Sequence, residues 1–239
     1  MDRSTLFRPE SWPAGHRAAL VVILDLNPIE HQVTPRTRFA AQSGLDHLLA
    51  MFADLEIVPS LILDSDIKEL VTIPADAEYD PAIFALDDDD VIPELVRDCE
   101  RDFGRAPRGI VFPHGNNDAL AQIPHGAWVL DLSEAPLPIF NQYGGTTIHY
   151  SPWWHDTAWL PPEFPSPPSA LLEHWSASLA SVRARGDMMT ITLSVPLSGH
   201  PAHLETIQRF LDEAIAAGDV WITNGSAVHA LVARDSKQQ

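Results

Sequence analysis

The sequence has few cysteines, few lysines and no long apolar run, and each shortage narrows the possible functions. Among 239 residues there are one cysteine, Cys99, and two lysines, Lys68 and Lys237. A single cysteine cannot form a disulfide within the chain. No run of about 18 apolar residues occurs, and residues 1–8 lack the apolar segment of a signal peptide, so we expect a cytoplasmic protein without a membrane span.

The charge balance excludes two classes of partner. The formal net charge is −18 at neutral pH, with 33 acidic residues against 15 lysines and arginines. Such a chain repels the phosphates of nucleic acids and the head groups of anionic lipids. We therefore expect a small-molecule substrate and neither nucleic acid nor membrane as a partner.

Several common cofactor and nucleophile motifs are also missing. The first apolar run is not followed by Gly-x-Gly-x-x-Gly, and no phosphate-binding loop is present, so the signatures of dinucleotide and nucleotide binding are absent. The sequence has no Gly-x-Ser-x-Gly motif, which counts against an α/β-hydrolase fold.

The most informative stretch that is present is the apolar run before Asp25. Five consecutive apolar residues, 20–24, lead directly into this acid. Short runs of branched residues are typical of strands buried on both faces of a parallel sheet. Because α/β folds carry their sites where strands end, Asp25 is the first candidate for chemistry, although an acid there can also simply cap a loop.

Strand-like and helix-like segments alternate along the whole chain. This alternation predicts an α/β fold with a parallel sheet, in one domain over residues 1–239 and of a size suited to an irregular (β/α)₇ barrel. We expect residues 1–16 to be a polar lead-in, residues 72–86 to be irregular and residues 233–239 to be a frayed tail. Strands are predicted at 18–26, 58–63, 109–112, 127–130, 188–195 and 220–222, with weaker candidates at 138–140 and 146–150. Helices are predicted at 38–55, 91–103, 169–185, 204–217 and 227–232.

Histidine and tryptophan concentrate in predicted loops. The chain has 11 histidines and 7 tryptophans, and the loop 151–168 holds Trp153, Trp154 and His155 among many prolines. Long loops in compact domains are functional or disordered, and an aromatic composition argues against disorder. We therefore predict that this loop is a lid or a wall of a substrate site, while core packing is the alternative for each tryptophan.

Several segments resemble the polysaccharide deacetylase (NodB-homology) superfamily, and most of all its allantoinase-like branch. Residues 12–25 resemble its opening strand, and residues 45–60 its first helix followed by a strand with a small residue and a proline. Further similar segments are 103–109, 197–204, 210–211 and 218–221. The resemblance implies a distorted (β/α)₇ barrel with a divalent metal, usually zinc, held by an acid and two histidines, and an aspartate as general base for amide hydrolysis. It also implies a possible homo-oligomer.

The metal motifs of that superfamily are degenerate here. Asp25 matches the general base, but the neighbouring metal-binding acid falls on Leu26 or Asn27. The paired histidines have no match in residues 66–90, an arginine is missing before Pro113, and the closing histidine is absent near Ser194. A standard zinc amidohydrolase is therefore not expected.

Three interpretations stay open. The favoured one is a repurposed barrel without a metal cofactor, in which Asp25 and His114 catalyse amide or acyl hydrolysis or a proton transfer such as isomerisation or lyase chemistry. A second is a divalent metal held by new ligands, for which the candidates are Glu30, His31, His114, His149 and His155. The third is an inactive homologue that serves as a binding or scaffolding module. The candidate substrate-binding residues are Asn27, Glu30, His31, Asn116, His149, Trp153, Trp154 and His155.

Overall fold

The chain folds as one curled β-sheet flanked by helices. The computed structural model describes residues 5–7, 9–10, 12–26, 39–63, 68–69, 71–85, 92–112, 127–131, 135–141, 144–158 and 166–236. The strands are β1 Thr5–Leu6, β2 Ala18–Asp25, β3 Ser60–Leu63, β4 Asp80–Phe84, β5 Gly109–Phe112, β6 Trp128–Asp131, β7 Ile139–Phe140, β8 Thr146–His149, β9 Met188–Ser194 and β10 Val220–Thr223. The helices are α1 Leu45–Asp54, α2 Ile92–Phe103, α3 Pro168–Arg185, α4 Val195–Ser198, α5 Pro201–Ala216 and α6 Gly225–Ser236.

The sheet is a half-barrel centred on β2. Parallel pairing runs in the order β9, β2, β3, β4, β5, β6, β8, while β1 and β7 add an antiparallel edge beyond β8. β10 pairs with Ala18–Val21 of β2, and β3 pairs with the last three residues of β2. Strands β10 and β3 therefore share one edge of β2, and β9 pairs with the other edge. A bridge between His155 and Thr192 draws the chain after β8 towards β9. The predicted α/β barrel class is confirmed.

β2 is buried on both faces, as its unbroken apolar run predicts. Leu20, Val22 and Leu24 belong to the outer core, which packs the sheet against helices α1, α3 and α5. Val21 and Ile23 belong to the inner core, which fills the barrel. Since side chains alternate along a strand, Asp25 follows Ile23 onto the inner face.

Strand β4 is a correction to the sequence analysis, which expected 72–86 to be irregular because of its prolines. Pro81 lies in β4, where its carbonyl accepts a hydrogen bond from the Arg108 N–H at 2.7 Å. The β4–β5 pairing begins only at Ala82 opposite Gly109. Pro81 is paired with Leu61 of β3, but its missing N–H falls before the ladder with β5 starts. Proline is tolerated at such a position near the beginning of a strand.

Other boundaries also differ from the sequence prediction. Helix α6 runs from Gly225 to Ser236, so residues 233–236 of the expected frayed tail are helical. The expected polar lead-in contains strand β1 and the fully buried Trp12, whose indole N–H donates to the Gly186 carbonyl at 3.2 Å. Helix α5 begins at Pro201 instead of Leu204 because His200 caps it, with its ring accepting from the Ala202 N–H. Proline suits such a first helical position, since its absent N–H would have no helical partner.

A buried polar cluster closes the N-terminal end of the barrel. The Asp80 carboxylate accepts hydrogen bonds from the Ser60 hydroxyl (3.0 Å), the Trp128 indole (2.9 Å) and the Ser226 N–H (3.0 Å). The Trp128 ring occupies the space beside Gly225, where a Cβ would lie 2.2 Å from it. Because this end lies away from the strand C-termini, we assign the cluster to stability.

Two further features concern a membrane span and the reactivity of the single cysteine. None of the helices in the described ranges is long and apolar enough to cross a bilayer. The buried Cys99 thiol donates to the Arg105 carbonyl at 3.5 Å, and burial, together with nearby Glu100 and Asp102, raises its pKa to about 12. The thiol therefore stays protonated and is a poor nucleophile at neutral pH.

Candidate functional site

A cavity of about 220 Å³ lies at the C-terminal end of the parallel strands. Its lining combines polar and apolar side chains from β2, β3, β4, β5, β6 and β9 and from the segment after β8. The described residues that line it are Asp25, Ile62, Phe84, Val111, Leu130, Asp131, Tyr150, His155 and Thr192. This position is where α/β barrels carry their sites, because the loops that follow each strand converge there.

Asp25 is the last residue of β2 and one of the cavity's carboxylates. Its Cα lies opposite those of Ile62 in β3 and Ser194 in β9. The strand before it is fully buried, whereas Asp25 itself is half-buried. A rigid strand therefore presents this carboxylate at the boundary between core and cavity, as the sequence predicts.

His155 and Asp156 form a buried pair beside β9, the strand that pairs with β2 and its terminal Asp25. Nδ1 of His155 lies 3.0 Å from Oδ1 of Asp156, and the two side chains are 10% and 0% exposed. Asp156 Oδ2 accepts hydrogen bonds from the Ser194 N–H at 2.9 Å and from the Ser198 hydroxyl. These contacts anchor the carboxylate to the end of β9 and to helix α4. Its Oδ1 has no hydrogen-bond partner among the described residues, so the approach of Oδ1 to Nδ1 of His155 is an ion-pair contact.

The surroundings of His155 favour its protonated form. Burial by itself lowers the pKa of a histidine, but the contact with Asp156 and the charge of Asp25 outweigh it, so the pKa of His155 is raised above its usual range. The Thr157 N–H (3.1 Å) and hydroxyl (2.8 Å) contact the same Nδ1 atom, and the N–H can donate to Nδ1 only in the neutral form of the ring. An imidazole fixed through Nδ1 leaves Nε2 as its other nitrogen for hydrogen bonding or proton transfer.

Tyr150 is a second proton-bearing group at the cavity. Its ring contacts that of His155 edge-on, with centroids 5.9 Å apart. Burial, strengthened by the charges of Asp25 and Asp156, raises the pKa of Tyr150 to about 12. The phenol therefore keeps its proton at neutral pH and serves as a hydrogen-bond donor rather than as a base.

Strand β9 presents hydroxyl groups to the barrel interior. Thr190, Thr192 and Ser194 alternate with apolar residues that face the outer core, and each of the three is buried. Among the residues that the structure describes, their hydroxyl oxygens have no hydrogen-bond partner. Buried hydroxyls are normally satisfied by protein, water or ligand, so Thr192, the one of the three that lines the cavity, suits a polar group held there.

Comparison with solved structures identifies the fold. The chain matches a protein from Mycobacterium smegmatis assigned as a polysaccharide deacetylase, with a TM-score of 0.81, 20% identity, and coverage of 98% of this chain and 96% of that one. It matches the PuuE allantoinase with a TM-score of 0.76 at 17% identity, over 93% of both chains. A protein from Pseudomonas aeruginosa PAO1, also assigned as a polysaccharide deacetylase, gives 0.73 at 14% identity, over 92% of both.

The chain has the NodB-like fold. No family model matches the sequence, and no curated protein does. The predicted resemblance to polysaccharide deacetylases and to their allantoinase-like branch is confirmed at the level of the fold. At identities of 20% or less, the comparisons establish the architecture, whereas the chemistry depends on the residues of the site.

The described residues do not fit the metal site that the NodB-like fold implies. In the parts of the chain that the structure covers, no three His, Cys, Asp or Glu side chains are grouped so that they could hold a metal ion. Leu26, one of two positions for the metal-binding acid, has no donor atom and packs 3% exposed in the outer core. We therefore derive no catalytic step through a metal.

The structure describes five of the ten predicted site residues. Asp25 and His155 line the cavity together. His149 is buried at the end of β8, 3.5 Å from the Asp131 carboxylate. Trp154 packs against the outer core, whereas Trp153 is 62% exposed, and neither is among the described residues lining the cavity. The other five, which lie outside the described residues and stay predictions, are Asn27, Glu30, His31, His114 and Asn116.

Three site residues were missed by the sequence analysis. Asp156 lies in the predicted loop 151–168 but was not among the candidate residues, and Tyr150 and Thr192 fall within predicted strands. An acid directly after a histidine in an aromatic loop could have pointed to the pair. The alternation of hydroxyl and apolar residues in β9 could have pointed to a polar inner face.

Proposed function

We propose that this protein is a hydrolase that cleaves the C–N bond of a small amide at the C-terminal mouth of its NodB-like barrel. Asp25 acts as the general base and His155, held by Asp156, acts as the general acid. The observation that supports this assignment is that Asp25 and the buried His155–Asp156 pair meet at one cavity. A carboxylate that can accept a proton and an imidazole whose pKa is raised are what acid–base catalysis of hydrolysis needs.

The proposed reaction proceeds in two proton transfers. Asp25 removes a proton from a water molecule as its oxygen attacks the amide carbon, which gives a tetrahedral intermediate. His155 then donates its proton to the leaving nitrogen, the C–N bond breaks, and a carboxylic acid and an amine are released. The Tyr150 hydroxyl is a hydrogen-bond donor for the developing oxyanion. Transfer of the Asp25 proton to His155, directly or through solvent, restores the starting state.

The position of His155 supports its assigned role. The resemblance expects a histidine near Ser194, at the end of β9, where this chain has none. His155 comes from the preceding loop but bridges to Thr192 of β9, and Asp156 binds the Ser194 N–H. The pair thus brings an imidazole to the strand end where the resemblance expects one, although from a different point in the sequence.

The test compares two histidine variants in an assay that detects both amine and acid. We expect wild-type protein to release them in equal amounts from a panel of small amides. His155→Gln should lower kcat/KM by about 100-fold or more, because general-acid catalysis contributes that much. The control His174→Gln alters a histidine whose ring nitrogen contacts the Trp153 carbonyl, and its activity should stay near that of wild type. Equal activities in the two variants would contradict the role of His155.

A binding module is the second candidate, and the exposed Trp153 is the observation that favours it. An exposed tryptophan is a common anchor in binding surfaces. Trp154, however, packs into the core, so the described part of this loop offers one exposed ring rather than a patch. If binding is the function, Trp153→Ala should abolish capture of the ligand while Asp25→Asn leaves it intact.

A further inference from the structure

We propose that the substrate is a small neutral amide with an apolar acyl or aryl group, and that β3 to β6 hold this group while β2, β9 and Tyr150 hold the reacting amide. This inference rests on the proposed hydrolase function and adds the class of substrate. It differs from the polysaccharide that the names of two matched structures carry, because one wall of the cavity is apolar.

The first wall is apolar and comes from four adjacent strands. Ile62, Phe84, Val111 and Leu130 project from β3, β4, β5 and β6 into the cavity. The register places Val111 opposite Leu130 and Phe84 opposite Val111, so three of these side chains form a continuous surface. Apolar surface of this kind favours hydrocarbon groups by removing them from water.

The same wall disfavours a sugar ring. Each sugar hydroxyl that packs on hydrocarbon without a partner loses its hydrogen bonds to water, which costs binding free energy. Several such groups on one ring would outweigh the gain from a single well-bound acetamido group. Sites that accept carbohydrate need hydrogen-bonding groups on every side that a hydroxyl faces.

The second wall is polar and carries the proposed chemistry. Asp25, Thr192 and His155 line it, and Tyr150 adds a phenol that keeps its proton. The Thr192 hydroxyl is buried and has no hydrogen-bond partner among the described residues, so it can pair with an amide group. Because carboxylates accept hydrogen bonds and repel anions, Asp25 and nearby Asp131 favour an amide over a carboxylate.

The part of the cavity that the described residues line is small. About 220 Å³ corresponds to roughly seven water molecules at about 30 Å³ each. Pockets for drug-sized ligands are larger, at about 300–1,000 Å³. One compact group, such as a short alkyl chain or a single aromatic ring, fills this cavity beside the amide.

The test measures binding separately from catalysis. The Asp25→Asn protein, which should not turn substrate over, is titrated by calorimetry with acetamide, butyramide, benzamide, benzoate and N-acetylglucosamine. Affinity should rise by roughly fourfold per added methylene from acetamide to butyramide, as expected for burial of hydrocarbon. Benzamide should bind at least tenfold more tightly than benzoate or N-acetylglucosamine. The proposal would be overturned by equal affinities for acetamide and butyramide, by binding of benzoate or N-acetylglucosamine as tight as that of benzamide, or by no binding of any amide.

Two matched valine variants locate the apolar wall, each made in the Asp25→Asn protein. Val111→Thr puts a hydroxyl into the wall and should weaken benzamide binding by about fivefold or more. Val129→Thr makes the same change in the outer core, one residue before the cavity-lining Leu130, and should cost stability but not affinity. Equal affinities in the two variants would overturn the assignment of the wall. If benzamide binds as expected but wild-type protein hydrolyses no amide, the proposed hydrolysis fails and the binding preference stands.

Discussion

Asp25→Asn should reduce amide hydrolysis by roughly a hundredfold to ten-thousandfold, which is the range that general base catalysis contributes. Asparagine has the shape of aspartate, but its neutral amide cannot take a proton from water. Because Asp25 is only half-buried, at the end of an otherwise fully buried strand, the substitution should leave the fold intact. Steady-state kcat/KM on the best amide, together with the thermal unfolding midpoint, measures both effects.

Asp131→Asn is the matched control for this variant. Asp131 lines the same cavity from the end of β6 and takes no part in the proposed reaction. Its substitution should change kcat/KM by less than about tenfold, although it removes the same charge. An Asp25→Asn protein that is folded and as active as Asp131→Asn would remove the general base from the mechanism.

Asp156→Asn should shift the pH dependence of the reaction and weaken the fold. The contact with Asp156 is one of the two influences that hold the pKa of His155 above its usual value. Without the negative charge, burial dominates and the pKa of His155 falls. The acid form of His155 is then lost at lower pH, so the alkaline limb of the kcat/KM profile should move to lower pH.

The stability of the same variant has a defined dependence on pH. A histidine whose pKa is higher in the folded than in the unfolded state stabilises the fold most below its unfolded pKa, near 6.5. That contribution is lost as the pH rises through the folded value. The free energy of unfolding of wild type should therefore exceed that of Asp156→Asn by about 1–3 kcal/mol below this pH, with a smaller difference in alkaline solution.

Asp187→Asn serves as the control for Asp156→Asn. Asp187 is also a buried aspartate, and it pairs with Arg185 at 2.5 Å beside helix α3. Its substitution should lower stability but leave the alkaline limb of the rate profile unmoved. If Asp156→Asn behaves in the same way, then Asp156 supports the fold and does not tune the acid.

The fold was largely accessible from the sequence because its strands are short apolar runs that end in polar residues. β2 and β9 were predicted to within a residue or two, and Asp25 was located correctly at a strand end. β4 was missed because Pro81 argues against a strand, and its tolerance depends on where the pairing with β5 begins. That register is set by the packing of separate segments and cannot be read from Pro81 and its neighbours.

The site was only partly accessible, since its key contacts join residues far apart in the chain. His155 was predicted to bind substrate, but the contact of Asp156 with the Ser194 N–H spans 38 positions. At the other end of the barrel, the Asp80 hydrogen bond to Ser226 spans 146 positions. A local pattern can nominate Asp or His as a site residue, but its partner emerges only when the barrel closes.

The most direct test of the central claim is the kcat/KM of the Asp25→Asn/His155→Gln double variant, set beside the two single variants. If both residues serve one reaction at one cavity, their effects are not independent. We predict that the double variant stays within about threefold of the slower single variant. If the loss of kcat/KM in the double variant equals the product of the losses in the two single variants, joint action is contradicted. A double variant as active as wild type would contradict the site itself.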